Sequence, residues 1–533
     1  MRKGLSLFAA LLISALGRGA EKTIPHFQTS DRCIACHNGL ATSSGEDISI
    51  GFDWRPSMMA NSSRDPYWQA SVRREAIDHP ESRALIEDEC SICHMPMARY
   101  ESKRLGKEGE VFSHLGFDPE KPGDKLAEDG VSCSLCHQIS KEKLGTRESF
   151  VGGFLIDPPN ADGQRPEYGP FKIEAGQTRI MRTSSRGFLP TEAKHIRQSE
   201  VCATCHTLYT KALGADGKVV GELPEQMPYQ EWQHSEFREK KESCQSCHMP
   251  VVKEEVPITK VLGLPREGVS RHVFVGSNFF MQRMLNKYRA DLSVGALPQE
   301  LAGAADRTVA HLQTQTARIA VNRVDVRAGR LEAEVAVENL GGHKLPTAYP
   351  SRRAWLHVVV RDRNKRVVFE SGAVDAQGQI KGNDNDADAT RYEPHYNEIR
   401  SADQVQIYES IMVDQAGALT TGLLSAVRYV KDNRLLPRGF DKRTADADIA
   451  VHGGAADDAD FTGGGDRVRY SVAVGAADGP FQVEAELWFQ PISYRWANNL
   501  KKYDAVEPRR FTGYYESMAP SSAVMLVRAS AGN

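Results

Sequence analysis

The ten cysteines of this 533-residue chain all belong to five copies of one short motif. In each copy two residues separate the cysteines, and a histidine directly follows the second cysteine. The copies are Cys33-Cys36-His37, Cys90-Cys93-His94, Cys133-Cys136-His137, Cys202-Cys205-His206 and Cys244-Cys247-His248. Random placement at this composition would produce roughly 0.006 such motifs, so the five copies indicate one shared function.

C-x-x-C-H is the attachment pattern of haem c, and its spacing has a chemical reason. Two thioethers at this spacing reach the two vinyl groups of one porphyrin, and the adjacent histidine lies under the iron as its proximal ligand. A thioredoxin-like pair would not need the histidine, structural zinc would use the pairs two at a time, and disulfides explain neither feature. We therefore predict five covalent haems c, attached through all ten cysteines and ligated by the five motif histidines.

The first 20 residues have the pattern of a secretory signal peptide. Arg2 and Lys3 precede the apolar run from residue 5 to residue 16, and small residues follow it. A retained N-terminal anchor helix is the alternative, although the run is short for crossing a bilayer. We predict export to the periplasm or the extracellular space, where bacteria attach haem c.

The hydrophobic pattern divides the rest of the chain. Residues 21–277 hold every motif and many turn signals, which predicts a mainly α-helical and irregular pentahaem cytochrome domain. Residues 278–314 show helical periodicity and form a predicted connector. From residue 315 apolar residues alternate with polar ones, as in Leu331–Val337, Val468–Val474 and Phe481–Phe489. Such strands, separated by Gly- and Asp-rich turns, predict an all-β, sandwich-like domain over residues 315–533.

Composition excludes two classes of partner. The formal net charge is -3, so the chain lacks the basic footprint of a nucleic-acid-binding protein. After residue 20 no apolar run approaches the ~20 residues of an integral membrane span. We expect the partners to be redox proteins, among them membrane-bound quinol-oxidising or terminal cytochromes.

The sixth ligand of each iron decides whether the haems only carry electrons or also bind substrate. Outside the motifs, residues 21–300 hold six histidines, enough for a second imidazole on each iron. Our predicted distal ligands are His272, His195, His234, His114 and His79. Met59 competes with them, because a thioether is also an axial ligand of haem iron. A full set of ligands favours electron transfer.

Two features of the β-rich half have two interpretations each. Asp384, Asp386 and Asp388 alternate and supply oxygen ligands suited to calcium, but they lack the glycine and final glutamate of an EF-hand. The alternative is a solvated acidic loop. His343 follows a Gly pair in a turn that could direct it toward a haem, or it is a loop histidine bonded to the backbone.

Two strings carry a family resemblance. Trp54-x-x-Ser57-x-x-Ala60 resembles an element of cytochrome c-554-like multihaem proteins in which a distal histidine stands where this chain has Met59. The string from Cys244 to Pro250, preceded by Glu231-Trp232, is similar to the c-552/c-554 group, which is related to cytochrome c nitrite reductases and hydroxylamine oxidoreductases.

The resemblance implies haem c without specifying an activity. The C-x-x-C-K string of many nitrite reductases is not present in this sequence. The segment from Gly342 to Thr347 is similar to a β-domain that follows the haems of several large bacterial multihaem cytochromes.

These observations predict an exported protein that passes single electrons between redox partners. Two alternatives remain open. One is an oxidoreductase with one haem open to a small nitrogen or sulfur compound. The other is a structural component that assembles a surface electron-transfer complex.

Overall fold

The computed structural model describes residues 26–533, so the predicted signal peptide lies outside the described residues. Within this range no helix is both long and apolar enough to cross a membrane. The N-terminal half is built from short helices and three two-stranded ribbons, and the C-terminal half is built mainly from strands.

The helices of the N-terminal half are mostly one to three turns long. They are α1 (Ser30–Ile34), α2 (Ile50–Trp54), α3 (Pro66–Asp78), α4 (Arg83–His94), α5 (Pro96–Arg104), α6 (Pro122–Glu128), α7 (Cys133–Cys136), α8 (Ala175–Ser184), α9 (Ser199–Ala203), α10 (Pro228–Gln233), α11 (Glu236–Glu239) and α12 (Cys244–His248). The ribbons pair β1 (Arg165–Gly169) with β2 (Phe188–Glu192), β3 (Leu208–Leu213) with β4 (Val219–Gln226) and β5 (Val256–Pro257) with β6 (Pro265–Arg266).

Local sequence explains where α3 begins. Asp65 accepts hydrogen bonds from the backbone N–H groups of Tyr67 and Trp68, and Pro66 occupies the first helical turn. An N-cap aspartate satisfies N–H groups that have no partner within the helix, and proline has no N–H to lose there. The helix ends at Asp78.

Two helices follow the N-terminal half. They are α13 (Phe279–Lys287) and α14 (Pro298–Gln315), and they pack against each other. Phe280, Met284 and Leu285 of α13 are buried with Leu301 and Leu312 of α14.

The C-terminal half contains two larger sheets. One has the strand order β10 (Val367–Ser371), β9 (Arg353–Arg361), β17 (Gln482–Gln490) and β18 (Val524–Gly532), with β12 (Ile407–Tyr408) also paired to β9. The other has the order β11 (Glu398–Ile399), β16 (Gly465–Ala473), β8 (Arg330–Asn339) and β7 (Ala317–Arg327). On β8 and β17 buried side chains alternate with more accessible ones, as the sequence pattern predicts.

The remaining elements surround these sheets. A third sheet has the order β14 (Leu419–Thr420), β13 (Ser410–Val413) and β15 (Arg428–Asp432). The helices of this half are α15 (Asp384–Ala387), α16 (Tyr494–Asn499) and α17 (Val506–Glu516).

The two halves share one hydrophobic core. Tyr67 of α3 and Phe280 of α13 belong to the same buried cluster as Val483 and Phe511 of the C-terminal half. The Phe511 ring centre lies 5.0 Å from that of Tyr67. Charged groups reinforce the contact, because Arg73 Nε and Nη2 donate to the Glu507 carboxylate at 2.8 and 2.9 Å. The C-terminal half is therefore packed onto the helices rather than joined by a linker alone.

Replacing Phe511 by alanine should weaken this contact. A buried Phe→Ala change removes apolar contacts and leaves a cavity, at a cost of about 3–5 kcal/mol. We expect a lower thermal unfolding midpoint and faster proteolysis between the halves. Val506→Ala on the same helix changes a side chain that is 64% exposed and should leave both measurements almost unchanged. Equal effects of the two changes would contradict a shared core.

Candidate cofactor-binding site

One internal cavity connects all five motifs. Its volume is about 1570 Å³, and all ten motif cysteines and all five motif histidines line it. Side chains of the connector helices and of the C-terminal half also line it, namely Met281, His311, His343 and Arg352. Residues more than 200 positions apart in the sequence thus face a common space.

Local helical structure gives each motif its geometry. The second motif ends α4, and the third and fifth form α7 and α12. The first and fourth motifs begin within α1 and α9. In a helix, residues three apart lie on the same face, so the two cysteines of a motif present their thiols to one side. This is the arrangement that two thioether bonds to one porphyrin require.

The thiols of different motifs are neighbours in the cavity. Cys33 of the first motif contacts Cys133 of the third. Cys93 of the second contacts Cys205 of the fourth, and Cys202 of the fourth contacts Cys244 of the fifth. The third and fourth motifs are close as well, because Cys136 lies near Cys202 and Cys205. The motifs therefore form a connected chain of sites.

Backbone carbonyls orient four of the five motif histidines. In each of them Nδ1 donates to a carbonyl oxygen, which leaves Nε2 without a hydrogen and free to ligate a metal. The pairs are His37 with Ile258 at 2.6 Å, His94 with Ser62 at 2.8 Å, His137 with Tyr168 at 2.5 Å and His248 with Val275 at 2.5 Å.

Burial keeps these imidazoles neutral. It lowers the pKa of His94 and that of His248 to about 4, although a carbonyl hydrogen bond raises each pKa in part. Burial is also the main cause that lowers the pKa of His206, and the nearby Arg352 guanidinium adds to it. The neutral imidazole is the form that binds iron.

Some motif histidines face a second imidazole across a gap. The ring centres of His137 and His272 are 6.3 Å apart and the rings are nearly parallel. His248 faces His343 at 6.2 Å, with the ring planes 16° apart, and His311 at 6.4 Å, with the planes 45° apart. Two imidazoles that ligate one metal from opposite faces have nitrogens about 4 Å apart, which places their ring centres roughly 6 Å apart. These gaps fit a haem iron.

The predicted distal ligands fall into two groups. His272 and Met59 line the cavity. His195, His234, His114 and His79 are not among the residues that line it, and their ring nitrogens have other partners nearby. These partners are the Ile139 carbonyl for His195, the Gln230 carbonyl for His234, the Asp124 carboxylate for His114 and the Ser425 hydroxyl for His79. Ligation by these four residues stays a prediction.

Sequence reasoning missed His311. This histidine lies on α14, within the predicted connector, whereas the search for ligands covered residues 21–300. No motif surrounds it, so only its position in the fold reveals it. The sequence left two interpretations of His343 open. The structure places it at the cavity, with Nδ1 3.0 Å from the Lys344 carbonyl oxygen.

The alternating aspartates do not fit a calcium site. Both Asp386 oxygens accept hydrogen bonds from Arg353, at 2.8 and 2.9 Å. Asp384 pairs with Arg391, and Asp388 accepts from the backbone and hydroxyl of Thr390. Calcium needs several oxygens directed at one point. Here the buried Asp386 neutralises the buried Arg353. The Asp384 and Asp388 carboxylates bind groups of the surrounding turn.

Another cluster of metal-ligand types lies in the C-terminal half. His395, Asp458 and Asp466 are buried with their ligand atoms within 4.8 Å of one another. The His395 Nδ1 accepts hydrogen bonds from the Gln406 and Asn433 amides, so its Nε2 carries the hydrogen and donates to Asp458 at 2.9 Å. A metal would have to displace that hydrogen. The cluster is therefore a hydrogen-bond network, in which every ring nitrogen has a partner.

The whole chain resembles one solved structure in fold. A penta-heme cytochrome c552 from Thermochromatium tepidum is similar to it with a TM-score of 0.51 and 14% sequence identity. The likeness covers 95% of this chain and 99% of that one. No protein-family model matches the chain, and no curated protein matches it. At this identity the comparison shows a shared fold that extends over both halves.

The thermal unfolding midpoint tests whether the His395 network holds a metal. We expect EDTA or added Zn²⁺ to leave the thermal unfolding midpoint unchanged. His395→Ala should lower it, because each buried partner left without a hydrogen bond costs about 1–3 kcal/mol. The control is His357→Ala, which removes a half-buried histidine from strand β9 and should have a smaller effect. A midpoint that EDTA lowers and Zn²⁺ restores would contradict the assignment.

Proposed function

We propose that this protein is an exported pentahaem c-type cytochrome that transfers single electrons between redox partners outside the cytoplasm. The observation that carries the proposal is the single cavity to which all five C-x-x-C-H motifs contribute. The fold shared with a penta-heme cytochrome supports it. Haem iron would supply the redox chemistry, and the protein would set its potential through ligands, burial and hydrogen bonds.

The contacts between motifs suggest an order for electron movement. The first motif adjoins the third, the third adjoins the fourth, and the fourth adjoins both the second and the fifth. Electrons would pass along the first, third, fourth and fifth sites, with the second as a branch. Cys247 of the fifth motif is exposed, whereas the other motif cysteines are partly covered. The fifth site is thus the one most accessible to a partner protein.

The imidazole gaps suggest axial ligands for two sites. We assign His272 as the second ligand opposite His137, since its Nδ1 is 3.1 Å from the Ser270 carbonyl and its Nε2 is left free. We assign His343 opposite His248, because these two rings are nearly parallel. His311 lies at a similar distance from His248 but is tilted, which makes it the alternative ligand there.

An oxidoreductase is the second candidate function. Among the ring pairs of residues 26–533, His37, His94 and His206 have no second imidazole at the spacing found for the other two motif histidines. Instead, the Trp68 ring lies 4.3 Å from that of His94. A haem without a sixth protein ligand could bind a small nitrogen or sulfur compound. Spin state separates this function from electron transfer.

Haem loading provides the first test. The purified protein should exceed the mass of the processed polypeptide by five haem masses, and this excess should survive denaturation because thioether bonds are covalent. The double change Cys133→Ala and Cys136→Ala should remove one haem. The same change at Cys202 and Cys205 should also remove one. Haem that acid acetone extracts from the unmodified protein would contradict the assignment.

The second test concerns the third site. We expect the ferric haem of the third site to be six-coordinate and low-spin, with His137 and His272 as its ligands, so that it does not bind substrate directly. His272→Ala should create one high-spin haem that binds cyanide, detectable by electron paramagnetic resonance. His357→Ala is the control, because His357 lies on strand β9 and is not among the residues that line the cavity, and it should leave the spectrum unchanged. A high-spin haem in the unmodified protein that binds nitrite, hydroxylamine or sulfite would instead favour the oxidoreductase.

A further inference from the structure

Arg352 places a guanidinium on the inner surface of the cavity. It belongs to the C-terminal half and directly precedes strand β9. Its Nη1 donates to the Thr347 carbonyl at 2.8 Å, and its Nη2 donates to the Asn278 side-chain oxygen at 3.2 Å. An arginine side chain has five N–H donors, so these two neutral acceptors leave most of its hydrogen-bonding capacity available to the cavity.

The charge of Arg352 has no carboxylate beside it. Burial alone lowers its pKa to about 10, and within residues 26–533 no acidic group offsets this effect. Two other arginines that line the cavity, Arg99 and Arg147, do have a carboxylate partner. Arg99 pairs with Asp88, and Arg147 pairs with Glu222. Arg352 is half-buried, and a partly desolvated cation without a counter-charge favours an anion, which the described residues do not supply.

The charge of Arg352 acts on the histidine of the fourth motif. The Arg352 guanidinium is close enough to His206 to contribute to the lowered pKa of that imidazole. A haem attached through Cys202 and Cys205 would bring two propionates into the same space. Arginine binds carboxylates through two parallel hydrogen bonds, and this geometry suits a buried pair.

We propose that Arg352 is the counter-cation of a propionate on the fourth haem. This inference rests on the proposed haem attachment. Through this ion pair the C-terminal half acts on the redox properties of a haem that the N-terminal half attaches. A positive charge near the iron disfavours the ferric state, so Arg352 raises the reduction potential of that haem.

The experiment is a spectroelectrochemical titration of the full-length haem-loaded protein at about pH 9, where unpaired carboxyl groups are ionised. Arg352→Gln removes the charge, and Arg352→Lys keeps the charge but not the two-pronged geometry. Arg197→Gln is the matched control, because Arg197 also lines the cavity but is exposed to water, which screens its charge. Haem content is measured for each variant by mass.

We expect Arg352→Gln to shift one of the five reduction steps to lower potential, with five haems still attached. Arg352→Lys should restore most of the shift, and Arg197→Gln should leave the titration almost unchanged. Five attached haems with an unaltered titration in Arg352→Gln would overturn this inference and leave the proposed function intact. If the unmodified protein carries no covalent haem, both this inference and the proposed function are wrong.

A small oxyanion from solution is the competing occupant. If nitrite or sulfite shifts the titration of the unmodified protein and has no effect on Arg352→Gln, then Arg352 holds a diffusible anion and the propionate assignment is wrong. If neither anion changes the titration of the unmodified protein, the result supports a haem propionate as the permanent partner of Arg352.

Discussion

The covalent geometry of the C-x-x-C-H motif is the constraint on which the N-terminal half depends. To hold a haem, as we propose, each motif would present two thiols on one side and a histidine beneath the same ring, and a single helical turn achieves this. Five such turns around one cavity leave little room for long helices or a large sheet. The helices of this half are accordingly short, and the motif side chains face the cavity instead of a conventional apolar core.

The C-terminal half completes this arrangement. Its strands share a hydrophobic core with α3 and α13, so it is held in a defined position against the helices. Rigid placement allows single side chains to reach the cavity from a distant part of the sequence. His343 faces His248 across a gap of the size that an iron atom requires, and Arg352 adds a positive charge near His206. Both residues lie close to the start of β9.

The buried polar groups of the cavity and those of the β-rich half are stabilised in different ways. In the cavity, burial keeps the imidazoles neutral, and carbonyl hydrogen bonds leave Nε2 as the nitrogen that would ligate a metal. In the β-rich half, buried charges are paired, as in Arg353 with Asp386 and Lys344 with Asp432. Paired charges stabilise one arrangement of the loops around the sheets. Unpaired donors remain at the cavity, where a cofactor would satisfy them.

The sequence by itself determined the five motifs, and the alternating strands of the C-terminal half, because both are patterns of neighbouring residues. A helical turn or a strand is set by spacings of two to four positions, which a sequence displays directly. Which imidazole faces His137 and which faces His248 was decided only by the tertiary structure. His311 has no local signature, and the turn around His343 left two interpretations open. The predicted ligands His195, His234, His114 and His79 do not line the cavity. The facing imidazoles come from residues far apart in the chain, so their geometry depends on how the two halves pack.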